Sequence, residues 1–458
     1  MPLPVIDCRA AGVDATLRSL PPGARPVMLG DASTGGGLAV SEIGDLGACF
    51  DGDEAWILPV SSGDLLAEDA LSIYGRAIAA EPDAGIVYAD DDLIDREGRR
   101  SVPHFKPDWN PELFEHHDFL TGACAVRVRR EDVHALDGQD WAEALIGKAL
   151  QRRTRVVHLP FVLHHRRSRP QPLIPAKPAA PCPADAPPVT VIVPTRNRAE
   201  LLRECVEGLS ATDYPKFDLI VVDNESDEPE AVRLLGKLQA GGAKILKVDG
   251  PFNYSALNNR AVEEARGEVL CFLNNDVEMV DRDWLALLVT HAVRPHIGAV
   301  GARLLYPDGT VQHAGVYTGI GGGAAHAHRF QAEGDPGYFE RARLPQRVTA
   351  VTGACLVVER EKFVAVGGFD EEQFPVAFND VDLCLKLNAR GWQSFYEPRA
   401  VLIHHESKSR GSDRDKANRD RFAEELAALK RKWHTDRAPD PFHHPHLSPF
   451  CEQFVMGV

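Results

Sequence analysis

From residue 188 onward the chain alternates short apolar runs with amphipathic stretches. PVTVIVPT (188–195) is continuous and rich in β-branched residues, the pattern of a strand buried on both faces. AELLRECVEGL (199–209) spaces its apolar residues by three and four, which predicts a helix. FDLIVVDN (217–224) and EPEAVRLLGKLQ (228–239) repeat the pair, and KILKVDG, SALNNRAVEEA and EVLCFLNND continue strand, helix, strand. This alternation predicts an α/β domain with a mostly parallel sheet covered by helices on both faces. Ligands of such sheets bind beyond the carboxyl ends of the strands, so the polar residues closing each apolar run are the ones to inspect.

The first half reads as a shortened copy of the second. WILPVSSGDLLAEDAL (56–71) parallels VLCFLNNDVEMVDRDWL (269–285), and TGACAVRVRREDV (121–133) parallels TGACLVVEREKFV (352–364). VVHLPFVLHHRRS (156–168) parallels SFYEPRAVLIHHESKS (394–409), and RPVMLGDAS (25–33) is a candidate match to LIVVDNES (219–226). No counterpart of the PTRNR strand end is present in the first copy, so it is expected to have lost most of its ligand pocket. Between the copies, residues 170–188 hold eight prolines and read as an extended linker. The expected organisation is a degenerate first domain (1–169), the linker (170–188), a catalytic domain (189–411) and a C-terminal helix and tail (412–458).

Composition narrows the class. With 458 residues, 44% hydrophobic and 26% charged, the chain has the make-up of a soluble protein of two domains. A formal net charge of −16 argues against non-specific nucleic-acid binding. The nine cysteines form no CxxC pair, and Cys205, Cys271 and Cys384 lie in apolar runs, so free thiols in a reducing compartment are expected. MPLPVIDCRAAGVD lacks the basic start and apolar core of a signal peptide, and no apolar run is long enough to span a membrane. The predicted location is therefore cytoplasmic, with peripheral contact to the inner face of the plasma membrane if a substrate is lipid-linked.

Four polar strand ends converge in the second domain. Pro194, Thr195, Arg196 and Arg198 open a helix, where backbone N–H groups and a guanidinium can hold a diphosphate. Asp223 closes LIVVD with a carboxylate suited to a base or ribose. Asn274, Asn275 and Asp276 follow VLCFL, and His404 and His405 follow AVLI. Carboxylate oxygen with imidazole suits Mn²⁺ or Mg²⁺ between two phosphates. Each feature has a plainer reading: strand-end acids cap helices, and paired histidines pack at strand ends. The ordered set of four is what points to a site. GIGGGAAHAH (319–328) lacks the Lys-Ser/Thr of a phosphate loop and reads as a flexible loop. Asp90, Asp91 and Asp92 read as a solvated strand end.

The motifs VTVIVPTRNRAELL, IVVDNES, FNYSALNN, FLNNDVEM, VQHAGV, VTGACLVV, VGGFDE, FNDVDLCLKL and IHHESKSRG together resemble the family-two glycosyltransferases of the GT-A fold. The resemblance is to the rhamnosyltransferase-like enzymes of bacterial O-antigen and capsule synthesis. It implies a nucleobase-binding role for Asp223 and nucleotide-sugar contacts from Asn253, Asn259, Asn274 and Asn275. Asp276 takes the metal-binding place of the DxD motif, whose first carboxylate is here Asn. Asn379-Asp380 stands where the family has Glu-Asp, making Asp380 the general base, with Asp382 as competitor. One of His404 and His405 is the late metal ligand, and Lys408 and Arg410 assist the diphosphate. Gly353 and Ala354 line the acceptor side. Trp392 and Phe378 are candidates to stack on a sugar, core packing being the commoner role of such rings.

The resemblance implies inverting transfer of a sugar from a dTDP- or UDP-sugar, rhamnose by resemblance alone, to a glycan or polyprenyl-linked glycan. The alternatives are a sugar-nucleotide nucleotidyltransferase, which needs a Gly-rich basic phosphate loop, and a non-catalytic nucleotide- or glycan-binding protein. Beyond residue 411, Phe422, Leu426, Leu429 and Trp433 share one helix face, expected to dock on the catalytic domain, with a membrane surface as the alternative.

Overall fold

A computed structural model of the chain describes residues 1–30, 38–134, 136, 138, 140–178, 185–406 and 416–457. Contacts divide it into Met1–Leu173 and Ile174–Val458, a boundary inside the proline-rich stretch. Residues 179–184 of that stretch lie outside the described residues.

The first unit contains β1 (Leu3–Asp7), β2 (Val27–Leu29), β3 (Leu38–Val40), β4 (Glu54–Ser61), β5 (Leu65–Leu66), β6 (Ala84–Ile94), β7 (Arg100–His104), β8 (Cys124–Arg129) and β9 (Arg155–Arg166). The second contains β10 (Val189–Thr195), β11 (Phe217–Asp223), β12 (Lys244–Lys247), β13 (Val269–Leu273), β14 (Val277–Met279), β15 (Ile297–Leu305) and β16 (Val311–His313). It continues with β17 (Val316–Thr318), β18 (Ala324–His326), β19 (Gln346–Val348), β20 (Cys355–Glu359) and β21 (Gln393–His404).

The two main sheets have the same plan. The first runs β3-β2-β1-β4-β8-β6-β9-β5 and the second β12-β11-β10-β13-β20-β15-β21-β14. Each neighbouring pair also keeps its sense: β1–β4 and β10–β13 are parallel, β4–β8 and β13–β20 antiparallel, β6–β9 and β15–β21 parallel. The shortened first half has therefore kept every strand of this path.

The sheets are mixed, not mostly parallel as the alternation of strands and helices suggested. In the second unit β20 runs antiparallel between β13 and β15, and β14 runs antiparallel to β21. This matters for function. An antiparallel strand brings its amino end to the edge where its neighbours end, so the turn before Cys355 and the turn before Val277 join the carboxyl ends of β10, β11 and β13.

β10 is buried along its whole length, as its unbroken apolar run predicts. The helix Ala199–Ser210 turns Ala199, Leu201, Leu202, Cys205 and Leu209 inward. Leu202, 1% exposed, packs in a core that includes Val191, Val193, Leu285 and Val357, a burial that stabilises by roughly 1.5–3 kcal/mol. The helix Trp284–Ala292 is apolar nearly all round because it lies wholly in that core.

The segment after the helix Lys416–Trp433 packs back on the same unit. Asp440 Oδ2 accepts from Thr318 N, Thr318 Oγ1 and Thr349 Oγ1, and Arg341 Nη1 donates to Phe442 O. The GIGGGAAHAH stretch, expected as a flexible loop, is the β17–β18 hairpin instead, tied down where Gly321 N donates to Pro449 O. Among the described residues no helix is long and apolar enough to cross a membrane.

Candidate functional site

At the carboxyl end of β10, Asn197 and Arg198 both take positive φ, 55° and 51°. The turn is held by the Asn197 amide, which donates to Asp227 Oδ1 and accepts from Asp227 N and Glu228 N. This clasp, which sequence reasoning did not single out, joins the β10 end to the β11 end. Pro194 and Thr195 are buried while Arg196 and Arg198 are exposed. At the β11 end Asp223, 4% exposed, accepts from Ser226 N through Oδ1. It thus shapes the turn that carries it.

The β13 end adds the Asn-Asn-Asp turn. Asn275 Nδ2 donates to Thr195 Oγ1 at 3.0 Å, fastening this turn to the β10 end. Asp276 Oδ1 lies 3.1 Å from His404 Nε2. The contact follows from register, because Val277, the first residue of β14, pairs with His404 at the end of β21. His405 turns the other way: its Nε2 is 3.3 Å from Glu278 Oε2. Of the two imidazoles left undecided in sequence, His404 is the one that faces Asp276.

His404 is oriented from behind. Gln312 Nε2 donates to Glu406 Oε2 at 3.2 Å, which turns Gln312 Oε1 toward His404 Nδ1 at 2.7 Å. A carbonyl oxygen only accepts, so in the neutral ring the proton sits on Nδ1 and Nε2 presents its lone pair. Asn274 Nδ2 approaches that nitrogen at 3.3 Å. A lone pair and a carboxylate oxygen facing each other repel unless a cation or proton lies between them. Two ligands at about 2.1 Å from one cation, at right angles, stand about 3.0 Å apart. The separation of 3.1 Å thus fits Mn²⁺ or Mg²⁺, with other positions left for phosphate oxygens and water.

Asp380 lies in the first turn of the helix Asn379–Ala389. Its Oδ2 accepts from Gly353 N at 2.7 Å and its Oδ1 from Val381 N at 2.8 Å. Burial pushes its pKa above the ordinary carboxylate value, and these N–H groups offset that only in part. Gly353 is closely packed here: a Cβ would come 3.1 Å from the Tyr254 hydroxyl, which donates to Gly353 O. The neighbouring Ala354 O accepts from Asn274 N at 3.0 Å. Asp380 and the Asp276–His404 pair are thereby joined through one short run of backbone.

Residues 190–366 match the profile of Glycosyl transferase family 2. An uncharacterized protein of Sinorhizobium fredii is 38% identical over 88% of this chain and 49% of its own length. The O-antigen biosynthesis protein RfbC of Myxococcus xanthus is 36% identical over 84% of this chain and 33% of its own length. The chain thus spans half or less of the length of these two relatives. An N-acetylglucosaminyl-diphospho-decaprenol L-rhamnosyltransferase of Mycobacterium tuberculosis is 34% identical over 49% of this chain and 78% of the relative. The chain belongs to glycosyl transferase family 2.

The second unit of this family 2 chain carries the GT-A fold, and several residues expected at its site have partners within the protein. Asn259 donates to Phe369 O and accepts from Phe369 N, and Asn253 Nδ2 donates to Glu371 O. Both amides clasp the 369–371 segment. Asp382, the competitor for the base, is fully buried and meets Lys432 Nζ and Trp433 Nε1, each at 2.8 Å. It faces the C-terminal helix because two residues along a helix turn a side chain well away from its neighbour's face. Trp392 precedes β21, and His404 closes it, so the tryptophan lies at the opposite edge of the sheet from the site. Phe378 packs on Phe422 with ring centroids 5.1 Å apart. Lys408 and Arg410 lie outside the described residues.

In the first unit the matching strand ends meet the chain's own cations. Asp64 Oδ1 accepts from Arg167 N at 2.7 Å, and burial pushes its carboxyl up to about 6. His164 Nε2 is 2.8 Å from the Tyr74 hydroxyl, and burial drives the ring down to about 3. His165 Nδ1 is 2.8 Å from Asp92 Oδ1. Asp90, Asp91 and Asp92, expected to be solvated, are at most 4% exposed. Lys106 Nζ stands 2.7 Å from Asp91, joined by Arg169 and, at 3.8 Å, Arg166. Burial alone raises the Asp91 carboxyl, but these cations hold it well below the usual range. The Arg166 guanidinium also lies against the TGAC turn, where a Cβ on Gly122 would come within 2.6 Å of it.

Proposed function

We propose that this chain transfers a hexose, with inversion, from a nucleotide diphosphate to a glycan or lipid-linked glycan in surface polysaccharide synthesis. The observation that carries the reading is Asp380, its carboxyl raised by burial, held at the same sheet edge as the Asp276–His404 pair. A uridine- or deoxythymidine-diphosphate sugar is the donor we favour. Rhamnose is supported by the likeness to a rhamnosyltransferase and by nothing at the site itself.

The acceptor hydroxyl forms its bond to the anomeric carbon as the bond to the diphosphate oxygen breaks, and that oxygen keeps the electron pair. Asp380 takes the hydroxyl proton. Asp223 holds the nucleoside, and the N–H groups and guanidinium of the Thr195–Arg198 turn lie where the diphosphate is expected. Asp276 and His404 would hold a divalent cation, which would neutralise charge on the departing diphosphate. Gln312 fixes the imidazole and Gly353 fixes the base, so neither needs to reorganise during the reaction.

The first unit, with its acids neutralised by Lys106, Arg166 and Arg169, serves as a structural or acceptor-holding domain. The reaction belongs on the cytoplasmic side of the membrane, where nucleotide sugars are available.

The test is a panel of nucleotide sugars with Mn²⁺, read as release of nucleoside diphosphate. One donor should be turned over by the parent, and turnover should drop at least about a hundredfold in Asp380→Asn and Asp276→Asn. Turnover at the parent's level in both variants overturns the assignment of Asp380 and Asp276, and thermal stabilisation by a donor with no turnover even in the presence of candidate acceptors counts for a non-catalytic binding protein.

A further inference from the structure

We infer that Tyr306 and Phe330 form a stacking platform for a pyranose ring of the acceptor, set beside His404. The inference rests on the transferase reading for the nature of its ligand, and on its own geometry for its place.

Tyr306 follows the last residue of β15, and Leu305 pairs with Ile403, so Tyr306 stands level with His404 at the edge where the strands end. The Phe330 ring lies nearly parallel to it, 4° between planes and 5.4 Å between centroids. Both rings are anchored by backbone. Tyr306 N donates to Thr310 O across the turn between β15 and β16, and Phe330 N donates to Val311 O at the foot of β16. The platform is therefore preorganised.

Two features set Phe330 apart from a packing residue. It is 59% exposed, so it gains little from burial. It also sits at φ 65°, a left-handed conformation that β-carbon residues avoid, as does His328 at φ 59°. The chain accepts a strained backbone here to present a ring to solvent.

The polar side of the platform is Arg329, whose guanidinium carbon lies over the rings, 4.9 Å from the Phe330 centroid and 5.7 Å from the Tyr306 centroid. Arg329 Nε donates to the Tyr306 hydroxyl at 2.7 Å, that hydroxyl donates to Glu406 Oε2 at 2.9 Å, and Arg329 Nη2 is 3.2 Å from the same oxygen. A pyranose presents one face of C–H groups and a rim of hydroxyls. A flat ring flanked by a guanidinium and a carboxylate complements both. Glu406 also accepts from Gln312, which holds His404, so the platform and the metal-ligating imidazole share one hydrogen-bonded chain.

The rival occupant is a lipid. The tail exposes Phe450, Val455 and Met456, and Gln453 Nε2 donates to Arg329 O. A hydrocarbon chain, however, has no use for the Arg329–Glu406 pair beside the rings, and a sugar has.

Saturation-transfer NMR on the full chain tests this. The probes are methyl α-L-rhamnopyranoside, methyl α-D-glucopyranoside and methyl N-acetyl-β-D-glucosaminide. At least one should receive saturation on its ring C–H face, with affinity about fivefold weaker in Phe330→Ala, restored in Phe330→Trp and unchanged in the control Val364→Ala. Donor turnover by the parent, measured separately, reports on the transferase reading alone. Equal binding of every glycoside by parent and Phe330→Ala, or no binding by the parent, overturns the platform. So does a Phe330→Ala defect confined to binding of mixed phosphatidylethanolamine–phosphatidylglycerol vesicles.

Discussion

His404 Nε2 stands 3.1 Å from Asp276 Oδ1 while its Nδ1 stands 2.7 Å from Gln312 Oε1. One ring nitrogen faces a carboxylate, and the other is fixed by a carbonyl that is itself oriented by Glu406. The three side chains come from three elements: Asp276 from the β13–β14 turn, His404 from the end of β21 and Gln312 from the middle of β16.

That arrangement makes Gln312 a positioning residue. Gln312→Leu keeps the volume but removes the acceptor, freeing the ring to rotate and to shift its proton to Nε2. The expected result is a Mn²⁺ affinity 10–100-fold weaker, with the fold retained. Titration of Mn²⁺ followed by electron paramagnetic resonance measures it without any need for turnover.

On the proposed mechanism Asp380 sets the pH dependence. A base must be deprotonated to act, so turnover should fall as pH is lowered through its pKa. Burial places that fall above the ordinary value of 3.8. Asp380→Asn should lower kcat by roughly 10²–10⁴ and remove the acid limb of the profile. A variant that keeps the limb would assign it to another group.

Asp382 makes a contrasting case. Its carboxylate meets Lys432, Lys386 and Trp433, which tie the C-terminal helix to the helix carrying Asp380. Asp382→Asn leaves Lys386 without its carboxylate and Lys432 with Asp370 alone, and should destabilise by roughly 1–3 kcal/mol. Mn²⁺ affinity should not change. Thermal unfolding and the Mn²⁺ titration together separate the two effects.

The first unit offers a stability test. The folded Asp64 carboxyl, at about 6, binds its proton more tightly than in the unfolded chain, where the value is near 3.8. The stability that Asp64 contributes is thus fully present below 3.8 and lost as pH rises through about 6. Asp64→Asn retains an oxygen for Arg167 N and removes the buried charge. Its melting temperature should exceed the parent's at pH 8 by an amount worth about 2–3 kcal/mol, and the gain should vanish near pH 4. Scanning calorimetry across that range checks both limbs.

Much of the second unit was legible because each strand end is a local signal. The run VTVIVPT and the residues closing it can be read without knowing their neighbours. What was not legible depends on register and on distant partners. Nothing in IHHES says which imidazole meets Asp276, since that follows from the pairing of Val277 with His404. That the amides of Asn253 and Asn259 clasp the 369–371 segment, more than a hundred residues on, could not be read from FNYSALNN. Asp90, Asp91 and Asp92 looked solvated because Lys106, Arg166 and Arg169 come from elsewhere in the chain. The antiparallel sense of β20 was hidden for the same reason: an apolar run carries no direction.

The most direct test of the account compares His404→Ala, His405→Ala and Asp276→Asn in Mn²⁺ binding by electron paramagnetic resonance, with a nucleoside diphosphate present. Binding should weaken at least about tenfold in His404→Ala and Asp276→Asn and remain at the parent's level in His405→Ala. Loss in His405→Ala with His404→Ala unaffected, or parent-like binding in Asp276→Asn, would contradict it.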